Sequence, residues 1–313
     1  MNKLINILLL LTILGYGCDR INRDPYADTP TSGRISICVD ETFKPVVEAE
    51  LMVFHALYRY AEIKPRYQAE NDCFRMLMED SVRLIIASRT LSQEEKNVLW
   101  AKKIIPREIK IATDGITLVV NLQNTNTVIS MGSIERILTG EITDWKQINP
   151  VSTAGSIIVV FDNKRSSIVR HAIDSIARGK SLSGNLYALD SNVDVVDYVS
   201  KNVNALGLIG VSWISDSDDS TQLSFLDKIK VMAISKDEPA NADNTYKPYQ
   251  AYIFDGSYPL TRDVYAIDTE PRNGLATGFT SFLASDKGQR IILKSGIVPA
   301  NAPIRLVNVR EDL

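Results

Sequence analysis

An alternation of strand-like and helix-like segments, from residue 34 almost to the C-terminus, constrains the fold of this 313-residue chain more than any other feature. Ile35, Ile37 and Val39 alternate as residues of a strand do, and apolar residues then recur at helical spacing between residues 43 and 58. Pro45 is compatible with the first turn of that helix. Because strand–helix repeats build mainly parallel sheets with helices on both faces, the sequence predicts an α/β protein.

The same repeat continues along the chain. Apolar spacing predicts strands at residues 64–67 and 82–87 and a helix at residues 73–78, and Ser92 with Glu95 forms a capping box that begins another helix. The further predicted strands are 116–120, 157–161, 206–211, 229–234 and 264–267, and the further predicted helices are 132–138, 167–177, 193–199, 273–283 and 287–294. A polar loop is expected at residues 215–224.

This set of elements is large enough for two lobes of ordinary size. We predict that residues 33–113 and 256–313 form lobe 1, so that both ends of the chain contribute to it, and that residues 114–255 form lobe 2. The chain is expected to cross between them near residues 114–115 and 258–259.

The N-terminal residues have the pattern of an export signal. Lys3 precedes an apolar run at residues 4–14, which is too short to span a bilayer, and Gly17 stands before Cys18. We predict a lipoprotein signal peptide at residues 1–17, attachment of a lipid such as palmitate to Cys18, and a flexible tether at residues 18–32. The alternatives are an uncleaved anchor or a signal cleaved elsewhere.

Composition limits the partners of the chain. A net charge of −3 argues against nucleic acid. His55 and His171 lie in separate helical patterns, so no metal site is expected. In an exported protein Cys38 and Cys73 either form a disulfide or remain two buried thiols, and the sequence leaves both open.

Four segments resemble the phosphate-binding proteins of bacterial phosphate ABC importers, a branch of the periplasmic solute-binding proteins. Residues 134–145 read IERILTGEITDW, similar to the family's helix that ends in an apolar pair and a glycine before an isoleucine and a tryptophan. Residues 40–45 (DETFKP), 86–95 (IASRTLSQEE) and 278–289 (GFTSFLASDKGQ) resemble three further stretches. The resemblance implies a two-lobed periplasmic-binding-protein fold, each lobe a mainly parallel sheet flanked by helices, that closes on its ligand.

Two places carry residues suited to an anion. Thr42 and Phe43 follow the first predicted strand, and Ser166 and Ser167 begin the predicted helix after residues 157–161. Free N–H groups at a helix start favour an oxyanion, although such hydroxyl residues also serve simply as N-caps. The resemblance implies that these four residues contact inorganic phosphate or a similar small oxyanion.

Two charges depart from the family pattern. Arg89 stands where the family has an aspartate that accepts a proton from phosphate, and Asp162 stands where it has an arginine. We expect Arg89 to contact ligand and to pair with Asp162 across the cleft; the alternative is that both are exposed. Since an arginine does not reject a fully deprotonated anion, the choice between phosphate and sulfate stays open. Asp72, in place of a Ser- and Gly-rich loop, would repel phosphate or cap the following helix.

Together these observations predict a monomeric, lipid-anchored receptor on the periplasmic side of a bacterial membrane. It would capture phosphate or a related oxyanion for the permease of an ABC importer, with no cofactor. No enzymatic activity is expected, since Ser166 does not lie in a G-x-S-x-G elbow. The alternative is a sensor or scaffold lipoprotein that kept the fold without transport.

Overall fold

The computed structural model describes residues 24–182, 184–215 and 220–301. The predicted signal peptide, the lipidation site Cys18 and the tether up to residue 23 lie outside these residues. In the described part of the chain, none of the helices combines the length and the apolar character needed to cross a bilayer.

The strands of the described residues are numbered in chain order. They are β1 Ser32–Asp40, β2 Tyr60–Gln68, β3 Leu84–Ala87, β4 Arg107–Asn121, β5 Val128–Ser130, β6 Ile158–Phe161, β7 Leu186–Ala188, β8 Ala205–Gly210, β9 Ile229–Val231, β10 Ala233–Ser235, β11 Thr261–Asp268 and β12 Val298–Pro299.

The helices are numbered in the same way. They are α1 Lys44–Leu57, α2 Glu70–Met78, α3 Gln93–Ala101, α4 Met131–Thr139, α5 Ser167–His171, α6 Asn192–Lys201, α7 Ser220–Leu226, α8 Gln250–Phe254, α9 Leu275–Ala284 and α10 Asp286–Lys294. A π-helical turn, Ala172–Ile176, continues α5, and 3-10 turns lie at Glu41–Phe43, Trp145–Gln147 and Val211–Trp213.

One continuous sheet carries the fold, in the strand order β2-β1-β3-β11-β4-β8-β6-β7, with β9 and β12 also paired to β4. β1 runs parallel to β2 and β3, and β6 runs parallel to β7 and β8, as the strand–helix repeat predicts. The antiparallel pairs all involve β4 or β11. The prediction of an α/β fold is confirmed, and the sheet contains both parallel and antiparallel pairs of strands.

β4 is the strand that joins the two halves of the sheet. Its residues up to Gly115 pair with β11, and its residues from Ile116 onward pair with β8. We therefore call the half built on β1, β2, β3, β11 and β12 lobe 1, and the half built on β6, β7, β8 and β9 lobe 2. A second segment runs beside the crossing, because the Tyr258 hydroxyl donates to the Ile116 carbonyl at 2.6 Å and the Ile116 N–H donates to the Leu260 carbonyl at 2.8 Å.

The segment at residues 134–145 serves packing in lobe 2. α4 buries Ile134 and Leu138 and ends at Gly140, whose φ of 82° lies in the left-handed region that glycine adopts without strain. Trp145 is fully buried, and its indole N–H donates to the Asn204 carbonyl at 3.0 Å. Burial of a side chain of this size contributes about 2–3 kcal/mol, so the motif stabilises the core of the lobe.

The end of the predicted tether packs on lobe 1. The Asp28 carboxylate accepts from the Leu275 N–H at 2.9 Å and so caps α9, and the Arg34 guanidinium lies 3.9 Å from the centre of the Tyr26 ring. Tyr26 and Asp28, which the sequence analysis placed in a flexible tether, thus contact residues of lobe 1. Cys38 of β1 and Cys73 of α2 form a disulfide bond, which settles the alternative that the sequence left open.

Candidate ligand-binding cleft

The ends of β1 and β6 meet across the boundary between the lobes. Thr42 lies in the 3-10 turn after β1, and Ser166 is the N-cap of α5 after β6. Trp213 of lobe 2 donates its indole N–H to the Thr42 carbonyl at 2.9 Å, so the lobes are closed on each other here. We call the region between Thr42 and Ser166 the cleft.

The hydroxyls of Thr42 and Ser166 converge on one carboxylate, that of Asp162. Ser166 Oγ donates to Asp162 Oδ1 at 2.6 Å. Thr42 Oγ1 lies 3.2 Å from Asp162 Oδ2 and also 3.2 Å from Asp40 Oδ1, and its single proton serves one of these two oxygens at a time. The Asn192 side-chain amide donates to Oδ2 at 3.4 Å. Burial raises the pKa of Asp162, although these hydrogen bonds oppose the shift. The structure thus brings the predicted residues Thr42 and Ser166 together, and the Asp162 carboxylate lies between them.

A buried arginine that sequence reasoning missed holds Ser167. Arg262 of β11 donates Nη1 to Ser167 Oγ at 2.6 Å, and its Nε and Nη2 donate to Asp114 Oδ2 at 3.1 and 2.9 Å. Its guanidinium carbon lies 4.8 Å from the centre of the Phe43 ring, a cation–π distance. Of the predicted residues, Phe43 and Ser167 therefore belong to one buried cluster. The sequence offered little signal for it, because Arg262 precedes the predicted strand at residues 264–267 and stands next to Asp263.

Arg89 does not pair with Asp162, which corrects the prediction. Its Nη1 and Nη2 donate to the two oxygens of Glu95 at 2.8 and 2.9 Å, and its guanidinium lies 3.3 Å from the centre of the Phe74 ring. Glu95 belongs to the capping box of α3, which holds its carboxylate where it pairs with Arg89, six residues earlier in the chain. The alternative that Asp162 is exposed is also wrong, because only 1% of Asp162 is accessible.

Two ion pairs across the lobes were not predicted. Arg170 of α5 donates Nε to Glu70 Oε2 at 2.6 Å, and Arg165 binds both oxygens of Asp72 at 2.9 Å. Asp72 lies inside the first turn of α2, whose N-cap is Ala69, so it is not the cap of that helix. Because Arg165 neutralises it, Asp72 presents little of the repulsion expected from the sequence.

The cleft contains a small, acidic cavity of about 140 Å³. Its lining residues are Asp40, Glu41, Tyr67, Gln68, Ala69, Asp72, Asp162, Asn163, Arg165, Ser166 and Asp190. Asp40 is fully buried, and its Oδ2 has no hydrogen-bond partner. Burial and the nearby Glu70 carboxylate raise the pKa of Asp40 to about 7. Burial likewise raises the pKa of Glu41 to about 7, against the hydrogen bond from Asn192.

Among the residues that the structure describes, no group of three or more His, Cys, Asp or Glu side chains is arranged to hold a metal ion. The chemistry open to the cleft is hydrogen bonding to a small polar solute by hydroxyls, arginines and carboxylates.

A sheet shared between two lobes, joined by crossing segments and closed over a small polar cleft, defines the class of two-lobed solute-binding proteins. The sequence model of the PBP superfamily domain matches residues 24–287. The chain belongs to this superfamily, as the resemblance implied.

Three relatives share the name phosphate-binding protein PstS. The protein of Staphylococcus saprophyticus is 27% identical over 220 residues, which cover 69% of this chain and 65% of that protein. The protein of Staphylococcus haemolyticus is 28% identical over 207 residues, covering 65% and 61%. The protein of Staphylococcus aureus strain USA300 is 26% identical over 252 residues, covering 79% and 73%. The chain thus spans slightly less than two thirds of the first two relatives.

Solved structures agree on the fold. A phosphate ABC transporter substrate-binding protein from Clostridium perfringens, crystallised with bound phosphate, superposes with a TM-score of 0.71 at 24% identity, over 86% of this chain and 100% of that chain. An ABC-type phosphate transport receptor from Vibrio cholerae gives a TM-score of 0.62 at 19% identity, over 85% and 100%. These likenesses confirm the two-lobed α/β fold.

Proposed function

We propose that this protein is a solute-binding protein that captures phosphate or a related small oxyanion between its lobes and delivers it to the permease of an ABC importer. Membership of the superfamily and the names of the relatives support this reading. We further propose that it acts as a monomer outside the cytoplasm, held to the membrane by a lipid on Cys18. Mass spectrometry of the native N-terminus tests the anchor: an unmodified N-terminus, or one that does not begin at residue 18, would rule it out.

The observation that carries the proposal is the convergence of hydroxyls from both lobes on one acceptor. Thr42 and Ser166 already bind the oxygens of a carboxylate in the closed cleft. An oxyanion offers acceptors of the same kind, and closure around it would bury hydrogen bonds to a charged group, which contribute about 1.5–3 kcal/mol each. The proposed contacts are Thr42, Ser166 and Ser167, with Phe43 packing beneath Arg262.

Asp162 gives the proposed site a chemical preference. A carboxylate beside the ligand accepts a hydrogen bond from the P–OH group of hydrogen phosphate, whereas sulfate at neutral pH has no proton to donate and meets only repulsion. We therefore expect phosphate to bind more tightly than sulfate. Asp162 thus takes the place of Arg89 as the charged side chain proposed to contact the ligand, because Arg89 pairs with Glu95.

Closure of the cleft on a ligand requires two lobes that move relative to each other. We propose lobe 1 at residues 33–113 with 256–313 and lobe 2 at residues 114–255, with the hinge where β4 exchanges β11 for β8. Because Asp28 caps α9, we assign residues 24–32 to lobe 1 as well. A hinge at two short crossing segments lets each lobe move as a unit.

Calorimetry against phosphate and sulfate tests the proposal. Thr42→Val keeps the shape of the side chain and removes its hydroxyl, so we expect phosphate affinity to fall about tenfold or more. Thr139→Val is the matched control, because the Thr139 hydroxyl binds the Glu135 carbonyl within α4, and it should bind phosphate as the wild type does. Equal affinities for all three proteins would contradict the assigned site.

One observation favours a second candidate, a sensor or scaffold that kept the fold without carrying an oxyanion. Asp40 and Asp162 are both buried at the cleft, and two carboxylates beside an anion cost binding energy unless they are protonated. A ligand at a hundredfold excess over its Kd raises the free energy of unfolding by about 2.7 kcal/mol. If phosphate, sulfate and phosphonates all leave the melting curve unchanged, this second candidate stands and the first fails.

A further inference from the structure

Glu70 has the environment of a bound anion. It is the first residue of α2 and none of it is exposed to solvent. Its Oε1 accepts from the Ser88 N–H at 2.8 Å and from Ser88 Oγ at 2.9 Å, and its Oε2 accepts from Arg170 Nε at 2.6 Å. Arg170 Nη2 also donates to Ser88 Oγ at 2.8 Å, which closes a ring of hydrogen bonds around the carboxylate.

These donors are the ones that oxyanion sites use. A backbone N–H, a hydroxyl and an arginine fork converge on two oxygens, and the guanidinium comes from a different lobe than the other two donors. Burial alone would raise the pKa of Glu70, but the bond and the charge of Arg170, with the Ser88 bonds, hold it below its usual value. The carboxylate is therefore ionised and serves as the counter-ion that joins the lobes.

We propose that Glu70 is a tethered anion, whose carboxylate fills an oxyanion site made by Ser88 and Arg170 and closes the lobes in the absence of solute. A small oxyanion entering this site has to displace Glu70, which leaves when α2 separates from α5. The proposal rests on the proposed function only for the identity of the oxyanion that competes.

The neighbouring contacts fit this arrangement. The first turn of α2 makes further contacts with lobe 2, since Asp72 binds Arg165 and the Asn71 N–H lies 3.5 Å from the Arg165 carbonyl. The start of α2 is thus held to lobe 2 at three successive residues, 70, 71 and 72. A group tethered in this way competes at a high effective concentration, so the apparent affinity for a free oxyanion is reduced in proportion to the fraction of sites that the tethered group leaves unoccupied.

Truncating the tethered group exposes the site. Glu70→Ala removes a carboxymethyl group, which corresponds to acetate, and leaves Ser88 and Arg170 without their anion. We expect the purified Glu70→Ala protein to bind acetate and phosphate at least tenfold more tightly than the wild type in calorimetry, and acetate to raise its melting temperature. Adding Arg170→Gln should abolish the gain. Glu79→Ala, at the other end of α2 and on the surface, is the matched control and should bind as the wild type does.

The outcomes separate the two proposals. If Glu70→Ala binds acetate and phosphate no more tightly than the wild type does, the tethered-anion proposal is wrong, whether or not the wild type binds phosphate. Gain of acetate binding in a protein whose wild type ignores phosphate supports the tethered anion and removes the proposed function. If Glu70→Ala does not fold, Glu70→Gln keeps the shape without the charge; small-angle scattering should then show a larger radius of gyration than the wild type, and an unchanged radius overturns the proposal.

Discussion

Glu50 is a buried acid without a partner, and replacing it should stabilise the protein. It lies on α1 with none of its surface exposed, and neither carboxylate oxygen has a hydrogen-bond partner. Burial raises its pKa to about 9, against an ordinary value of 4.5. At neutral pH the folded protein therefore holds a proton on Glu50 that the unfolded chain releases.

The sign of the effect follows from this difference in protons. Below pH 4.5 the acid is neutral in both states and folding loses nothing. Between pH 4.5 and 9 the unfolded chain gains by ionising, so the free energy of unfolding falls by up to roughly 1.4 kcal/mol per pH unit. At pH 7 the loss reaches about 3 kcal/mol, and it is complete near pH 9. Glu50→Gln, which cannot ionise, should escape it.

Urea unfolding followed by circular dichroism, at pH 5, 7 and 9, measures this directly. We expect Glu50→Gln to match the wild type within about 1 kcal/mol at pH 5 and to exceed it by roughly 3 kcal/mol at pH 7. Glu48→Gln is the matched control, because Glu48 lies on the same helix and is exposed, and its effect should stay below about 0.5 kcal/mol. A difference between Glu50→Gln and wild type that does not change with pH would refute the reasoning.

Three further predictions concern stability and closure. Burial, with the charges of Arg262 and Arg170, lowers the pKa of His171 to about 4. The free energy of unfolding of the wild type should therefore fall by roughly 2 kcal/mol as the pH drops from 6.5 to 4, because only the unfolded chain takes up the proton. His171→Gln should show a smaller fall in urea titrations, and equal falls would contradict this. A Cβ on Gly210 would lie 2.5 Å from Thr42 Cγ2 across the lobes, so Gly210→Ala should weaken phosphate binding about tenfold or more with little change in melting temperature, and unchanged calorimetry would speak against it. Cys38→Ser with Cys73→Ser should cost about 2–4 kcal/mol in urea unfolding, whereas a loss below 1 kcal/mol would count against a stabilising disulfide.

The sequence predicted the fold well because its signals are local. The period of apolar residues located most of the helices and strands, and the capping box of α3 is present with both of its hydrogen bonds. The predicted helix at 167–177 is present as α5 and a π-helical turn. The predicted strand at 229–234 is divided into β9 and β10, which pair with different partners, β4 and β5. The division depends on which strands β9 and β10 pair with in the folded protein, and the spacing of apolar residues along the chain does not reveal that.

The site was predicted less completely, because charge partners are chosen in space. Thr42 and Ser166 were found from their positions after strands, a local signal. Glu70 and Arg170 are 100 residues apart, and Asp28 caps a helix whose first residue is 247 positions away. The predicted pair of Arg89 and Asp162 failed because Glu95, fixed by the cap of α3, lies within reach of Arg89. A sequence shows which charges exist and leaves their pairing to the fold.

Closure of the lobes should depend on pH through Glu41. Its Oε2 accepts from the Asn192 side chain of lobe 2 at 2.5 Å, and burial raises its pKa to about 7, with Asp162 adding to the shift and Lys44 opposing it. In an open form that lets water reach the carboxylate, its pKa would return towards 4.5, so closing takes up a proton between these values. Closure is therefore strongest below pH 4.5 and weakens as the pH rises to 7, by roughly 2 kcal/mol for a group that keeps some exposure. Small-angle scattering of the ligand-free protein should show a smaller radius of gyration at pH 5 than at pH 8. Glu41→Gln should reduce that difference, and Asp40, whose pKa is also about 7 in the same cavity, accounts for the rest. A wild-type radius that is the same at both pH values would mean that the closed form does not depend on these protons.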